Sequence, residues 1–559
     1  MDEKEILKFC IERGLLIEPE ALNLFSEISD DTESVKLIIE KIKNHTQKRI
    51  ITRSLFEQNK EQVSEFFLTL PKENQKSLEK LKIKLGLQIE ISRLSQVQSE
   101  IPSIIHAKEA RQYGEEPLDK TRGDDSLEQD RDRNEEEERG VRVLLKPISI
   151  KKKIEVDDFV KNLKNRFAEM KNILQEHSEL ENLVSINKLS GGKKFSIIGM
   201  VFEKRVTKNR NIIFSVEDST GRTKVLINQN KPELYNFAEE VPLDSVIGFT
   251  GFGDREIMFA NNIVLPDLPL IERKKSPVEE YALFISDLQY GSDLFLESNF
   301  RKFIDYLNGK LENSPEADKI KYLFIVGDLV SGVGVYPSQK KDLKIADIEE
   351  QYQKVTELIT KIRNDITIII SPGNHDGVRL MEPQPAMDEK YAWPLYNLRN
   401  VILTGNPAYV NIGAKKNFPG FNVLTYHGFS YPFYANTVPS LVKQDALNAP
   451  EKIMTYLLKH RHLAPTHAST QHYPSEKDEM TIGKVPDIFV SGHLHKSAVT
   501  YYNNVLLISG STWESETENQ KKRGNKPDFC KVPMFNLKTR QVKILDFDEP
   551  EIHKKNEAS

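Results

Sequence analysis

The stretch KYLFIVGDLVSGVGVYPSQ, residues 321–339, decides the fold. Tyr322 to Val326 form an apolar run without a polar break, as a strand buried on both faces requires. The run ends at Gly327 and Asp328. A carboxylate at the end of a buried strand points to chemistry, because sites in layered α/β folds gather at the carboxyl ends of strands. Two further segments repeat the plan, YALFISD at 281–287 and ITIIISPGNHD at 366–376. Between them lie FLESNFRKFIDYLNGKL and IADIEEQYQKVTELITKIRND, whose apolar residues recur at helical spacing. Strands and helices alternate from about residue 278 to 400, and strands dominate beyond. The expectation is a layered α/β sandwich with a largely buried sheet.

The polar residues that follow these strands form a series. It runs Asp287 in ISDLQYG, Asp328, then Asn374 and His375 in SPGNHD. It continues with His427 in TYHGFS and with His493 and His495 in VSGHLHKS. A lone Gly-Asp or a lone histidine carries little information. Five such motifs in order between residues 287 and 495 point to a metal site. Carboxylate oxygen, amide oxygen and neutral imidazole suit a divalent ion, with manganese, magnesium, iron and zinc as the candidates. Asp328 has two oxygens and can bridge two ions. A pair about 3.5–4 Å apart can clamp a phosphodiester and activate a water. His375, next to Asn374, is placed to assist the leaving oxygen.

Upstream, FSIIGMVFEKRV, IIFSVEDSTGRTKVLI, SVIGFTGFGD and IMFANNIVLPD are short alternating strands with glycine-containing turns. They predict a small closed barrel of the OB-fold type, whose face often holds single strands. Lys204, Arg205, Lys208 and Arg210 are the candidate DNA contacts, with Phe214 as a candidate stacker. A barrel that only packs against a neighbour is the alternative reading. A basic amphipathic segment, 157–177, precedes the barrel. EILKFCIERGLLI and ESVKLIIEKIKNH predict helices within residues 1–95, a module of the kind that docks partners. Residues 96–150 are charged and nearly free of apolar side chains over most of their length, which predicts a disordered linker. The tail 549–559 is expected to be disordered too.

The net charge of −5 does not advertise nucleic-acid binding, so any such contact must rest on local patches. Cys10 and Cys530 sit far apart and offer neither a disulfide framework nor a thiolate zinc site, which suits a reducing cytoplasm. The start, MDEKEILKFC, lacks the apolar run of a signal peptide. No stretch reaches the ~20 apolar residues of a membrane span. The expectation is a cytoplasmic protein without membrane contact.

The order Asp, Asp, Asn-His, His, His-x-His resembles the calcineurin-like metallophosphoesterase superfamily. GDLVSGVGVYPSQ, residues 327–339, with a barrel upstream, narrows the resemblance to the small subunit of archaeal D-family DNA polymerases, over about residues 150–545. The resemblance implies a multidomain α+β chain: an N-terminal helical module (1–95), a helix plus OB-fold barrel (151–275) and a four-layered α/β/β/α phosphoesterase domain (276–548). It implies a heterodimer, or a larger assembly, with a large polymerising subunit, and a metal-dependent 3′→5′ exonuclease acting on primer 3′ ends and single strands. By position, Asp287, Asp328 and His495 would hold one metal, and Asp328, Asn374, His427 and His493 the other. His375 takes the catalytic role.

Two positions depart from that pattern. Gln289 stands where the first motif usually has histidine, and its amide oxygen is a weaker ligand than imidazole. Ser331 stands where relatives place an acid that orients the catalytic histidine. Two hypotheses follow, an active proofreading nuclease and a weakened or inactive subunit that scaffolds its large partner. A free-standing phosphoesterase is a third, disfavoured by the barrel and linker. No phosphate loop ending in Lys-Ser or Lys-Thr is present, so synthesis must belong to the partner.

Overall fold

The computed structural model describes residues 140–145 and 153–548, apart from 192–193, 312–313 and 524–525. It also describes residues 6, 8–10, 16–17, 50–51 and 90–93. The helix expected over 33–45, most of the linker expected over 96–150, and the tail 549–559 lie outside the described residues. Within the helix expected over 5–17, residues 8–10 are helical, but Leu16–Ile17 is a short strand parallel to Ile50–Ile51. Gly14 stands just before it, and an interior glycine weakens a helix by about 1 kcal/mol.

Two sheets face each other. The first has seven strands in the order 401–403, 367–371, 320–326, 281–285, 531–536, 542–546, 90–93. The second has six, in the order 498–502, 505–509, 488–491, 421–425, 408–412, 141–145. Tyr281–Ile285, Ile320–Val326, Thr367–Ser371 and Val401–Leu403 are parallel neighbours, which brings their carboxyl ends to one edge. Side-chain alternation then assigns the layers. Ala282, Phe284, Tyr322, Phe324 and Val326 point into the core between the sheets, against Val410, Val423, Ile488 and Ile508. Their neighbours Leu283, Ile285, Leu323 and Ile325 point the other way, against helices Glu297–Leu307 and Ile348–Ile359. Phe284 and Phe324 stack at 5.2 Å, and each adds about 2–3 kcal/mol by leaving water. The outer face of the second sheet, through Leu424, Phe489 and Leu507, is covered by helices Tyr431–Thr437, Pro439–Lys443 and Pro450–His460. The result is four layers, α/β/β/α. Those three helices correct the expectation that strands dominate beyond residue 400. Prolines in their first turns, where a missing N–H costs nothing, start each one.

Strands 195–206, 212–218, 221–227, 257–264 and 246–253 close a five-stranded barrel in that order. Helix Pro232–Glu240 lies between its third and fourth strands in the chain. Strands 90–93 and 141–145, expected in a helical module and a linker, instead extend the two sheets of the sandwich, parallel to 542–546 and antiparallel to 408–412.

Helix Val156–Leu174 joins the barrel to the sandwich. Its buried residues, Asp158, Asn162, Arg166, Met170 and Leu174, recur every fourth position and form one stripe. Met170 and Leu174 pack on Ile198, Met200 and Val246 of the barrel. Arg166 reaches the other way: its Nε donates to Asp478 at 2.5 Å and its Nη1 to the Pro465 carbonyl at 2.8 Å. His462 Nε2 meets the same Asp478 oxygen at 3.0 Å. Among the described residues, no helix is long and apolar enough to cross a membrane.

Candidate metal centre

Each motif residue lies just past a strand of the paired sheets. Asp287 follows 281–285, Asp328 follows 320–326, and Asn374 and His375 follow 367–371. His427 follows 421–425, and His493 and His495 follow 488–491. The backbone there is unusual. Asp287, Gln289, Asp328, His493 and His495 have φ of 51°, 54°, 50°, 70° and 56°, all left-handed. Such residues cost on the order of 1–3 kcal/mol each, and they persist where the surrounding structure over-determines them, often at functional sites. Two glycines leave room for the cluster. A Cβ on Gly327 would lie 2.0 Å from His427 Nδ1, and one on Gly373 would lie 2.2 Å from Asp328 Oδ1.

The side chains form one connected set. The Asp287 carboxylate accepts from the His493 N–H at 3.1 Å and lies 3.3 Å from His495 Nε2. Asp328 Oδ1 accepts from the His375 N–H at 2.9 Å. Asp328 Oδ2 accepts from Gln289 Nε2 at 3.0 Å and lies 3.4 Å from His427 Nε2. His427 Nε2 in turn lies 3.0 Å from Asn374 Oδ1 and 3.3 Å from His493 Nδ1. The ligand atoms of Asp328, His427 and His493 all fall within 4.8 Å of one another. That donor set, one carboxylate and two imidazoles with an amide oxygen beside them, fits a divalent cation. The position around Asp287 and His495 has a thinner set, since Gln289 turns its amide nitrogen toward Asp328.

Charges in this cluster are strongly coupled. Burial alone would raise the Asp328 carboxyl, but the His427 and His375 imidazoles outweigh it and hold the group well below the usual carboxylate range. Burial likewise opposes charge on His427, and Asp328 overrides it, lifting the imidazole to about 10. His427 must give up that proton to act as a ligand. His493 goes the other way, to about 3, through burial and the neighbouring His427.

Further residues fix the ligands in place. Asp376 accepts from the N–H groups of Leu329, Val330 and Gly373 at 3.3, 3.3 and 2.8 Å, tying the Asp328 loop to the Asn374 loop. Its carboxyl is pushed up to about 6, by burial first and then by Asp328. Asn406 accepts from the His427 N–H at 2.9 Å and donates to Glu382 at 3.1 Å. Burial raises the Glu382 carboxyl to about 7. His375 Nδ1 meets the Ser331 main-chain carbonyl at 2.7 Å. A peptide oxygen therefore orients His375 at the position where an acid was expected.

A cavity of about 410 Å³ opens onto Gln289, Asp328, His375, His493 and His495. Tyr336, Glu514 and Gln520 also line it, and the sequence had not singled them out. Tyr336 lies inside the quoted 321–339 stretch. Glu514 and Gln520 belong to no motif and are brought in by the fold alone. Gln520 Nε2 sits 2.8 Å from His495 Nδ1. Among the described residues, no lysine or arginine lines this cavity.

The five barrel residues expected to touch DNA lie outside the cavity. Phe214 is 0% exposed and packs on Phe249 inside the barrel, so it cannot stack on a base. Ile212, Phe214 and Val216 alternate inward together, which puts this ring on the core face. The Lys204 ammonium is tied to the carbonyls of Glu239 and Val241 at 2.7 and 3.0 Å. Burial lowers its pKa. Arg205, Lys208 and Arg210 are exposed. The exposed aromatic rings of the barrel are instead Phe202, Phe252 and Phe259. Phe252 and Phe259 stack at 5.6 Å, and the Arg222 guanidinium lies 4.8 Å over Phe202.

Comparison with known proteins follows the same lines. Residues 282–500 match the family that comprises the B subunits of DNA polymerases alpha and epsilon. The DNA polymerase II small subunit of Pyrococcus abyssi is 39% identical over 422 residues, covering 72% of this chain and 66% of the relative. That of Methanothermobacter thermautotrophicus is 37% identical over 398 residues, covering 70% of this chain and 80% of the relative. The chain thus spans slightly less than two thirds of the Pyrococcus abyssi relative's length. An archaeal phosphodiesterase of known structure aligns at 13% identity with a TM-score of 0.23, covering 47% of this chain and 98% of that one. That likeness is too distant to bear on the fold. The chain belongs to the family of archaeal DNA polymerase II small subunits.

Proposed function

We propose that this chain is the small subunit of a two-subunit archaeal replicative polymerase. In this reading it carries a metal-dependent 3′→5′ exonuclease that removes nucleotides from single-stranded primer ends. The observation that carries the reading is the convergence of Asp328, His427 and His493 within 4.8 Å beside a cavity that no lysine or arginine lines among the described residues. A phosphodiester entering that cavity meets no lysine or arginine among the described residues, and a buried anion needs a counter-charge. A pair of divalent ions, when bound, supplies that charge and an activated water.

The residues themselves divide the remaining work. Asp328 presents one oxygen toward Gln289 and His427 while the His375 N–H fixes the other. His375 keeps Nδ1 on the Ser331 carbonyl, which leaves Nε2 as the atom that meets a leaving oxygen. Tyr336 stands beside His375, with ring centroids 6.4 Å apart, and borders the space for a terminal nucleotide. Arg205, Ile213, Leu226, Phe259 and Phe252 lie in register across the barrel. Its exposed aromatic pair, rather than Phe214, is the stacking surface of this reading for a single strand.

The test is manganese-dependent release of nucleotides from single-stranded DNA by the purified chain and by His375→Ala. The variant is expected to lose on the order of 10²–10⁴-fold in kcat, with manganese affinity unchanged. Equal release by both would identify a contaminating nuclease. A second reading, an accessory subunit with a weakened site, draws on Gln289, whose amide nitrogen occupies an Asp328 oxygen. Absence of release by the parent, with manganese bound, selects it.

A further inference from the structure

Glu514 is a buried acid inside the cavity, and nothing in the ligand set accounts for it. It is 7% exposed and shares the cavity wall with Gln289, Asp328, His375, His493 and His495. Its position is tied to the first motif. The Trp513 N–H donates to the Asp287 carbonyl at 3.0 Å, and the Thr512 hydroxyl donates to the same oxygen at 3.0 Å. The Glu514 N–H in turn donates to that hydroxyl at 3.1 Å. Residues 512–514 therefore ride on the backbone that carries Asp287. The Ser292 side chain and the charges of His495, His375 and Asp328 all act on the Glu514 carboxyl.

A carboxylate held there is costly unless a cation faces it. Among the described residues, no lysine or arginine lines the cavity. A phosphodiester sharing the space would be repelled by an unneutralised carboxylate. The neighbouring position offers Asp287 and His495, and Gln289 supplies an amide where the first motif would supply an imidazole.

We propose that Glu514 is the carboxylate that faces the metal at the Asp287–His495 position, replacing the ligand that Gln289 does not provide. This rests on the metal-centre reading of the same cavity. It makes the pairing of glutamine at 289 with glutamate at 514 a single functional exchange. The exchange trades an imidazole for a hard oxygen donor, which favours manganese or magnesium over zinc at that position.

The experiment is calorimetric titration of the full chain with manganese chloride, with thermal melting as the folding control. The parent is expected to bind two ions. Glu514→Gln, which keeps the shape and removes the charge, is expected to weaken one of them on the order of 10–100-fold and leave the other unchanged. Adding Gln289→His to that variant is expected to restore the lost ion. Glu514→Asp, which keeps the charge on a shorter stem, is expected to retain both. Two unchanged ions in Glu514→Gln would overturn this proposal alone. Equal losses in Glu514→Gln and Glu514→Asp would reduce the residue to packing and overturn it as well. A parent that binds no manganese would overturn the metal-centre reading and this proposal together.

Discussion

Replacing Asp328 by asparagine is expected to remove both manganese ions and to cut nucleotide release on the order of 10³-fold or more. The reason is its central place. Its oxygens are shared among Gln289 at 3.0 Å, the His375 N–H at 2.9 Å and His427 Nε2 at 3.4 Å. Asparagine has the same shape, which matters where Gly373 leaves no spare space beside Oδ1. A loss therefore reports charge and donor type and not a rebuilt pocket. The substitution also removes the charge that lifts His427 to about 10, so this imidazole becomes easier to deprotonate. If loss of that competing proton were the larger effect, metal affinity would rise. Loss of the bridging carboxylate outweighs it, because a buried cation pair without that charge lacks its main counterweight. Calorimetry and a single-strand degradation assay read both effects. Retention of two ions and full release by Asp328→Asn would contradict the assignment.

The second large effect lies far from the metal centre. Arg166→Met is expected to destabilise the junction between barrel and sandwich by about 3–5 kcal/mol, since it strands a buried carboxylate. The side chains of Arg166 and Asp478 are 3% and 0% exposed. Burial would raise the Asp478 carboxyl, yet Arg166 and His462 hold it well below the usual range. Removing Arg166 leaves the carboxylate with His462 at 3.0 Å, the Met480 N–H at 3.2 Å and His472 at 4.0 Å, and takes away its permanently charged partner. Arg166→Met combined with Asp478→Leu is expected to recover most of the loss, because no buried charge then remains. Chemical denaturation of the three chains separates these cases. A loss under about 1 kcal/mol in the single variant, the range of an exposed pair, would show that water reaches the junction.

The sandwich was legible because its central strands carry unbroken apolar runs and end in chemistry-bearing residues. The motif residues Asp287, Asp328, Asn374, His375, His427, His493 and His495 are joined in the structure by direct contacts, as their placement after strands implied. What escaped the sequence was non-local. Residues 90–93 carry no signal that they pair with 542–546, since a four-residue strand is defined by its partner. Helix 156–174 buries Asp158, Asn162 and Arg166, so a search for apolar periodicity misses three of the five residues in its buried stripe. Phe214 was readable and was misread: alternation with Ile212 and Val216 assigns it to the core. Ser331 pointed to a lost orienting group, yet its main-chain carbonyl performs that task, and a carbonyl has no sequence signature. Glu514 reaches the cavity only because Thr512 and Trp513 grip the Asp287 carbonyl.

The most direct measurement is an anomalous-scattering map from crystals of this chain soaked in manganese. The expected map has two peaks sharing Asp328, one among Asn374, His427 and His493 and one between Asp287, His495 and Glu514. A map without a peak at Asp328, from crystals that diffract well with manganese present, would contradict the metal-centre assignment.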